Sequence, residues 1–166
     1  EMIDFIFSHK GTLDKYIGDA IMAVFGAPFA GPQDADDAVA AANEMITSLR
    51  ALNATESFKK YLEVFIGVGV STGELVSGNI GSPKRMDYTV IGDTVNLASR
   101  LESATKYYGV KILLSQATVE SLKGSRRVRE LDLLTVKGKT KPVAIYEGLD
   151  HHTPQTFPEK HAAEAF

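Results

Sequence analysis

No cysteine occurs in this chain of 166 residues. That absence excludes a disulfide framework, a thiolate metal site and a cysteine nucleophile. Histidine is scarce as well: His9, His151, His152 and His161 are the whole set, with no ligand-like spacing ahead of the last residues. A basic surplus is missing too, since 18 Lys and Arg stand against 21 Asp and Glu for a formal charge of -3. A general nucleic-acid binder carries the opposite balance. A phosphate ligand held by a few placed cations is compatible with it. No apolar run is long enough for a membrane-spanning helix. The longest, Ala20 to Ala30, is interrupted by Gly26 and Pro28. The first residues, Glu1-Met2-Ile3-Asp4, carry acids where a secretory leader needs a basic region. Gly67, Gly69, Gly73, Gly78 and Gly81 form neither a Gly-x-Gly-x-x-Gly turn nor a Walker A loop, which disfavours dinucleotide and P-loop enzymes.

What remains is an ordinary globular composition, 44% hydrophobic and 23% charged, in a chain of one-domain length. The opening residues read as an amphipathic helix that ends at Gly11, and a helix already running at residue 1 implies a piece lacking its natural start. Leu13–Ile17 and Ala20–Phe25 flank Gly18-Asp19 and predict a β-hairpin. Its second strand is apolar on both faces, and so is expected to lie centrally in a sheet. A helix is expected from Asp34 to about Leu52, with Val39, Ala42, Met45, Ile46 and Leu49 on one stripe and Asp34, Asp36 and Asp37 complementing its dipole. Leu62–Val70 reads as a strand in which Gly67 and Gly69 leave room for close backbone approach. Glu74–Ile80 is expected to be its hairpin partner, and a second hairpin-like stretch runs to Ile91. A helix from Thr94 to Tyr108 closes at Gly109. A strand at Lys111–Leu114 follows, then a short helix capped by Ser115 and strands at Arg127–Val136 and Val143–Leu149. This order predicts an α+β fold with helices on one face of a mostly antiparallel sheet. The domain spans residues 1–149, and residues 150–166 read as a mobile tail.

Several residues carry possible chemistry. Asp19 at a hairpin tip suits an ordinary turn, the favoured reading for this residue taken alone; the other is a carboxylate projected toward Mg²⁺. Asn96 and Arg100 stand i, i+4 on one helix, opposite the stripe Val95, Ala98, Leu101 and Ala104, so both point toward one groove. A solvated helix face is the alternative. Lys137-Gly138-Lys139 with Lys141 is a basic turn, solvated or in reach of a phosphate.

Read together, these motifs resemble a known family. Lys15-Tyr16-Ile17-Gly18-Asp19 through Pro28 is similar to the metal-binding hairpin of class III nucleotidyl cyclases. Gly78–Ser82 and Met86–Glu102 resemble that family's second signature, and Val136–Lys139 its phosphate-contacting turn. The likeness covers residues 1–149 and is greatest to bacterial adenylyl cyclases.

The resemblance implies a ferredoxin-like-derived cyclase fold and conversion of ATP to cyclic AMP and pyrophosphate for signal transduction. Two ions, Mg²⁺ or Mn²⁺, would assist attack of the ribose 3′-hydroxyl on the α-phosphate. Carried over residue by residue, Asp19 corresponds to a metal aspartate, Lys15 and Thr89 to base readers, and Asn96 to the residue that orients the ribose. Arg100 corresponds to the group that stabilises charge on the α-phosphate, and Lys137 to the contact with the terminal phosphates. The Lys15/Thr89 pair favours ATP over GTP. The family's first metal aspartate lies on a strand ahead of residue 1, so the N-terminal strand is expected to be missing, leaving either a gap beside the Asp19 hairpin or a strand from another segment or chain in its place. Glu74 stands where some animal members carry arginine. The resemblance further implies a homodimer with active sites at its interface, a regulatory domain upstream and a cytoplasmic catalytic domain, with no nucleic-acid partner. The alternatives are a guanylate cyclase and a catalytically incomplete module of the same shape.

Overall fold

The first helix, α1 (Met2–Ser8), buries a single residue, Ile6. The chain leaves it through Lys10, whose φ of +62° places the left-handed turn one residue before Gly11. Gly11 therefore serves packing rather than helix termination: a Cβ there would lie 2.7 Å from both Ile6 and Phe25. The computed structural model describes residues 1–58, 60, 63–134, 142–153 and 156.

After α1 come β1 (Thr12–Ile17) and β2 (Ala20–Val24), antiparallel around Gly18-Asp19 as expected. Gly18 has φ +63°, which the tight turn needs and glycine adopts without strain. Next is α2 (Asp34–Asn53), followed by the short β3 (Val68–Val70). A hairpin of β4 (Val76–Ser82) and β5 (Arg85–Ile91) leads into α3 (Asp93–Tyr108), closed by Gly109. The remainder is β6 (Ile112–Ser115), α4 (Gln116–Ser121), β7 (Val128–Leu134) and β8 (Val143–Gly148). Ser115 caps α4 as read from the sequence, accepting from Thr118 N.

The α+β class stands, but three details of its layout differ from the sequence reading. First, β3 does not pair with β4. It runs parallel to β6 in a four-stranded sheet of order β3-β6-β8-β7, while β4 pairs with β5 in a sheet of their own. Local adjacency favours a hairpin, yet β6 buries every one of its residues and draws β3 to itself from over forty positions away. Second, the helices cover both faces. Ile112 and Leu114 meet Val39, Ala42 and Ile46 of α2, whereas the intervening Leu113 meets Leu101 of α3 with Ile145. Alternation along a strand sends neighbours to opposite sides, so α2 and α3 sandwich the sheet. Third, β2 is not central: Ala20 and Ile21 are exposed, and among the described residues β1 and β2 pair with no third strand.

Close approach of α3 to the sheet depends on Gly69. A Cβ there would stand 2.2 Å from Ala98 O and 2.4 Å from Glu102 N, both backbone atoms. On the other face, Asp36 does more than complement a helix dipole. It is buried and accepts from Lys123 N at 2.7 Å and Gly124 N at 3.0 Å, tying α2 to the segment after α4. The start of the expected tail is also held: Arg127 N donates to Asp150, Arg50 Nη1 donates to the His151 carbonyl, and His151 itself is buried.

Candidate active site

The β1–β2 hairpin and the β4–β5 hairpin meet at a carboxylate. In β1 the register slips between Leu13 and Lys15, whose partners Ala23 and Met22 are consecutive, so Asp14 faces no residue of β2. Such a bulge releases one residue from the ladder and re-aims its side chain. Asp14 Oδ2 accepts the Thr89 hydroxyl from β5 at 2.9 Å. The same oxygen lies 3.5 Å from Lys15 Nζ. The Asp14 side chain is 5% exposed and that of Lys15 is 40% exposed. A carboxylate this deeply buried requires a hydrogen bond and a countercharge, and Thr89 and Lys15 supply them.

Two residues assigned from the sequence as base readers are therefore brought together, from positions far apart in the chain. Asp14, the group that joins them, was missed. In a regular strand its side chain would point away from that of Lys15, and only the bulge lets the two meet. A signal was present: an acid, poorly suited to strands, stands between Leu13 and Lys15 in an otherwise favourable run.

Asp19 sits in the two-residue turn at the hairpin's tip, exposed. Asn96 and Arg100 are both exposed on α3, whose opposite side packs Leu97, Leu101 and Ala104 into the core. The buried stripe is thus shifted from the expected one, with Leu97 in place of Val95. Among the described residues, none of these three polar side chains has a hydrogen bond or ion pair. The structure does not bring Asp19 and Arg100 onto one element pair: the hairpin packs on α1 and touches β5, while α3 packs on β3 and β6. Lys137, with Lys139 and Lys141, lies outside the described residues.

The ion pair implied by the resemblance needs hard oxygen donors. Asp19 is one such donor. No group of three His, Asp or Glu suited to a metal occurs among the described residues. The hydrogen bond to Asp132 pushes the Tyr108 phenol up to about 12. Burial lowers the His151 imidazole to about 4.

Comparison with known proteins adds independent findings. Residues 2–147 match the family described as the adenylate and guanylate cyclase catalytic domain. A terminal-differentiation-specific adenylate cyclase of Dictyostelium discoideum is 43% identical over 143 residues, which cover 84% of this chain and 7% of that protein. This chain therefore corresponds to one segment of a much longer relative. The crystal structure of the adenylyl cyclase CyaB from P. aeruginosa gives a TM-score of 0.74 at 34% identity, over 94% of this chain and 79% of that one. The guanylyl cyclase Cya2 gives 0.72 at 38% identity, over 89% and 74%.

Proposed function

Because the chain belongs to the family of adenylate and guanylate cyclase catalytic domains, we propose that it converts ATP to 3′,5′-cyclic AMP and pyrophosphate. Overall likeness does not select the nucleotide, since an adenylyl and a guanylyl cyclase match to similar extents. The observation that carries the choice of ATP is the meeting of Lys15 and Thr89 at one buried carboxylate. An ammonium donates to adenine N1, and the threonine hydroxyl beside it receives the exocyclic amine.

Each remaining residue has a role in this reading. Asn96 orients the ribose so that its 3′-hydroxyl faces the α-phosphate, a positioning contribution. Arg100 presents a guanidinium to the charge that builds on the α-phosphate oxygens, an electrostatic contribution. Lys137 holds the terminal phosphates as a point charge. Asp19 is assigned to a divalent ion, together with donors from elsewhere, substrate phosphates among them.

The site is shared between two copies in this proposal. Asp19 projects from the hairpin and Arg100 from a helix packed on β3 and β6, and in this reading a second protomer brings them to face each other. Apolar exposure on both hairpins supports the same conclusion: Tyr16 is 58% exposed and Tyr88 65%. Side chains of this size left to water on adjoining strands favour burial by a partner. The catalytic domain is assigned to the cytoplasm, beside a regulatory segment of a longer protein. No described helix is long and apolar enough to cross a membrane.

The test is turnover of ATP and of GTP by the full-length protein with Mg²⁺ or Mn²⁺. ATP should be used far better, and Lys15→Glu should abolish cyclic AMP formation, because an acceptor then faces adenine N1. GTP turnover equal to that of ATP would overturn the assignment.

A further inference from the structure

Asp14 has no role in the functional reading, yet it occupies the centre of the base-reading corner. One of its oxygens, Oδ2, receives the Thr89 hydroxyl at 2.9 Å and faces the Lys15 ammonium at 3.5 Å. The carboxylate is almost wholly shielded from water, as is Thr89 at 8% exposure.

A threonine hydroxyl has one proton and two lone pairs, and left alone it rotates to donate or accept as its partner demands. In this chain the proton is committed to Asp14, so Thr89 meets any ligand as an acceptor only. A lysine ammonium has three protons and no lone pair. It faces the Asp14 carboxylate as an ion pair, and its protons remain for a ligand. The corner thus presents a fixed acceptor beside a fixed donor. Adenine carries the complement, an amine donor at C6 beside the N1 acceptor. Guanine carries the reverse, a C6 carbonyl acceptor beside an N1–H donor.

We propose that Asp14 is the positioning residue that sets nucleobase selectivity, by fixing the Thr89 hydroxyl as an acceptor and holding Lys15 next to it. This inference rests on the cyclase reading above and deepens it. Asp14 acts through Thr89 and Lys15 and does not touch the base. Without the carboxylate, Thr89 is free to turn its proton toward a C6 carbonyl, and Lys15 is free to donate to the same oxygen. Rejection of guanine then weakens. A merely structural role, tying β1 to β5, would alter stability and leave the ratio between nucleotides where it was.

The experiment measures kcat/KM for ATP, GTP and ITP with the full-length protein and its Asp14→Ala, Asp14→Asn, Thr89→Val and Asp14→Ala/Thr89→Val variants, with thermal melting to confirm folding. The wild-type protein should reject ITP as it rejects GTP, since both present a carbonyl at C6. Asp14→Ala should lower the ATP-to-GTP ratio by at least about tenfold. Asp14→Asn, whose amide oxygen still accepts from Thr89, should keep most of the ratio. In the Thr89→Val background, Asp14→Ala should change the ratio by clearly less than in the wild-type background, since only the hold on Lys15 is left to lose. Wild-type use of ITP as good as that of ATP would overturn the acceptor-only hydroxyl, and does not depend on any variant folding. A folded Asp14→Ala variant with an unchanged ratio, or an effect fully additive with Thr89→Val, would overturn the role of Asp14 while leaving the cyclase reading in place. A wild-type protein that prefers GTP, or that uses neither nucleotide, would overturn both.

Discussion

Acid should destabilise this domain through one buried imidazole, and the size of the effect follows from where His151 lies. The residue follows β8, is only 3% exposed, and has its backbone carbonyl clamped by Arg50 from α2 at 3.0 Å. Burial lowers it from 6.5 to about 4, with the neighbouring His152 and the Arg50 cation acting in the same sense and Asp150 and the Gly148 backbone in the opposite one. The unfolded chain therefore takes up a proton between pH 6.5 and 4 that the folded chain refuses. Stability from this source is complete above pH 6.5 and is lost as the pH falls through that window. At about 1.4 kcal/mol per pH unit, the loss is on the order of 2 kcal/mol by pH 5 and on the order of 3 kcal/mol below pH 4. Urea unfolding of the wild-type protein and of His151→Gln at pH 7.5 and 5 isolates the term, because titrating groups that do not interact with His151 cancel in the comparison. The wild-type protein should lose about 2 kcal/mol more than the variant between the two pH values. A difference below about 0.5 kcal/mol, within ordinary non-additivity, would refute the reasoning.

Two further outcomes are expected. If Asp19 and Arg100 complete one site from different protomers, Asp19→Ala and Arg100→Ala should each be nearly inactive alone, and an equal mixture should regain about a quarter of wild-type activity, because half of the dimers are mixed and each has one intact site. No recovery with mixed dimers confirmed by cross-tagged purification would count against a shared site. Gly69→Ala should cost about 1–3 kcal/mol of unfolding free energy, since its methyl group would sit 2.2 Å from the Ala98 carbonyl of α3; an unchanged urea midpoint would show that α3 yields without penalty.

Elements whose signals are local were legible in the chain itself. The Gly18-Asp19 turn between apolar runs, the stripe of α2, the closure of α3 at Gly109 and the Ser115 cap all lie where the residues placed them. Each is decided within a few residues, by backbone preference or by one hydrogen bond. The likeness to cyclases was legible for the same reason, being carried by contiguous motifs that contain Lys15, Asp19, Thr89, Asn96 and Arg100.

Matters that depend on distant partners were not legible. Periodicity showed that 68–70 is a strand and left its partner open; the fully buried β6 settled that, because a strand covered on both faces needs neighbours on both edges. Alternation told which residues of β6 share a face, but not that α2 takes one face and α3 the other. The apolar character of β2 suggested a central strand, whereas Ala20 and Ile21 lie exposed at the hairpin's end. Asp14 is the most instructive case. Along the chain it is one acid beside one lysine, and regular strand geometry would keep the two apart. The bulge turns it, β5 brings Thr89 to it from 75 residues away, and burial makes the bond between them obligatory. Hydrogen-bond polarity of this kind belongs to a constellation rather than to a residue, so it comes into being only when the chain has folded.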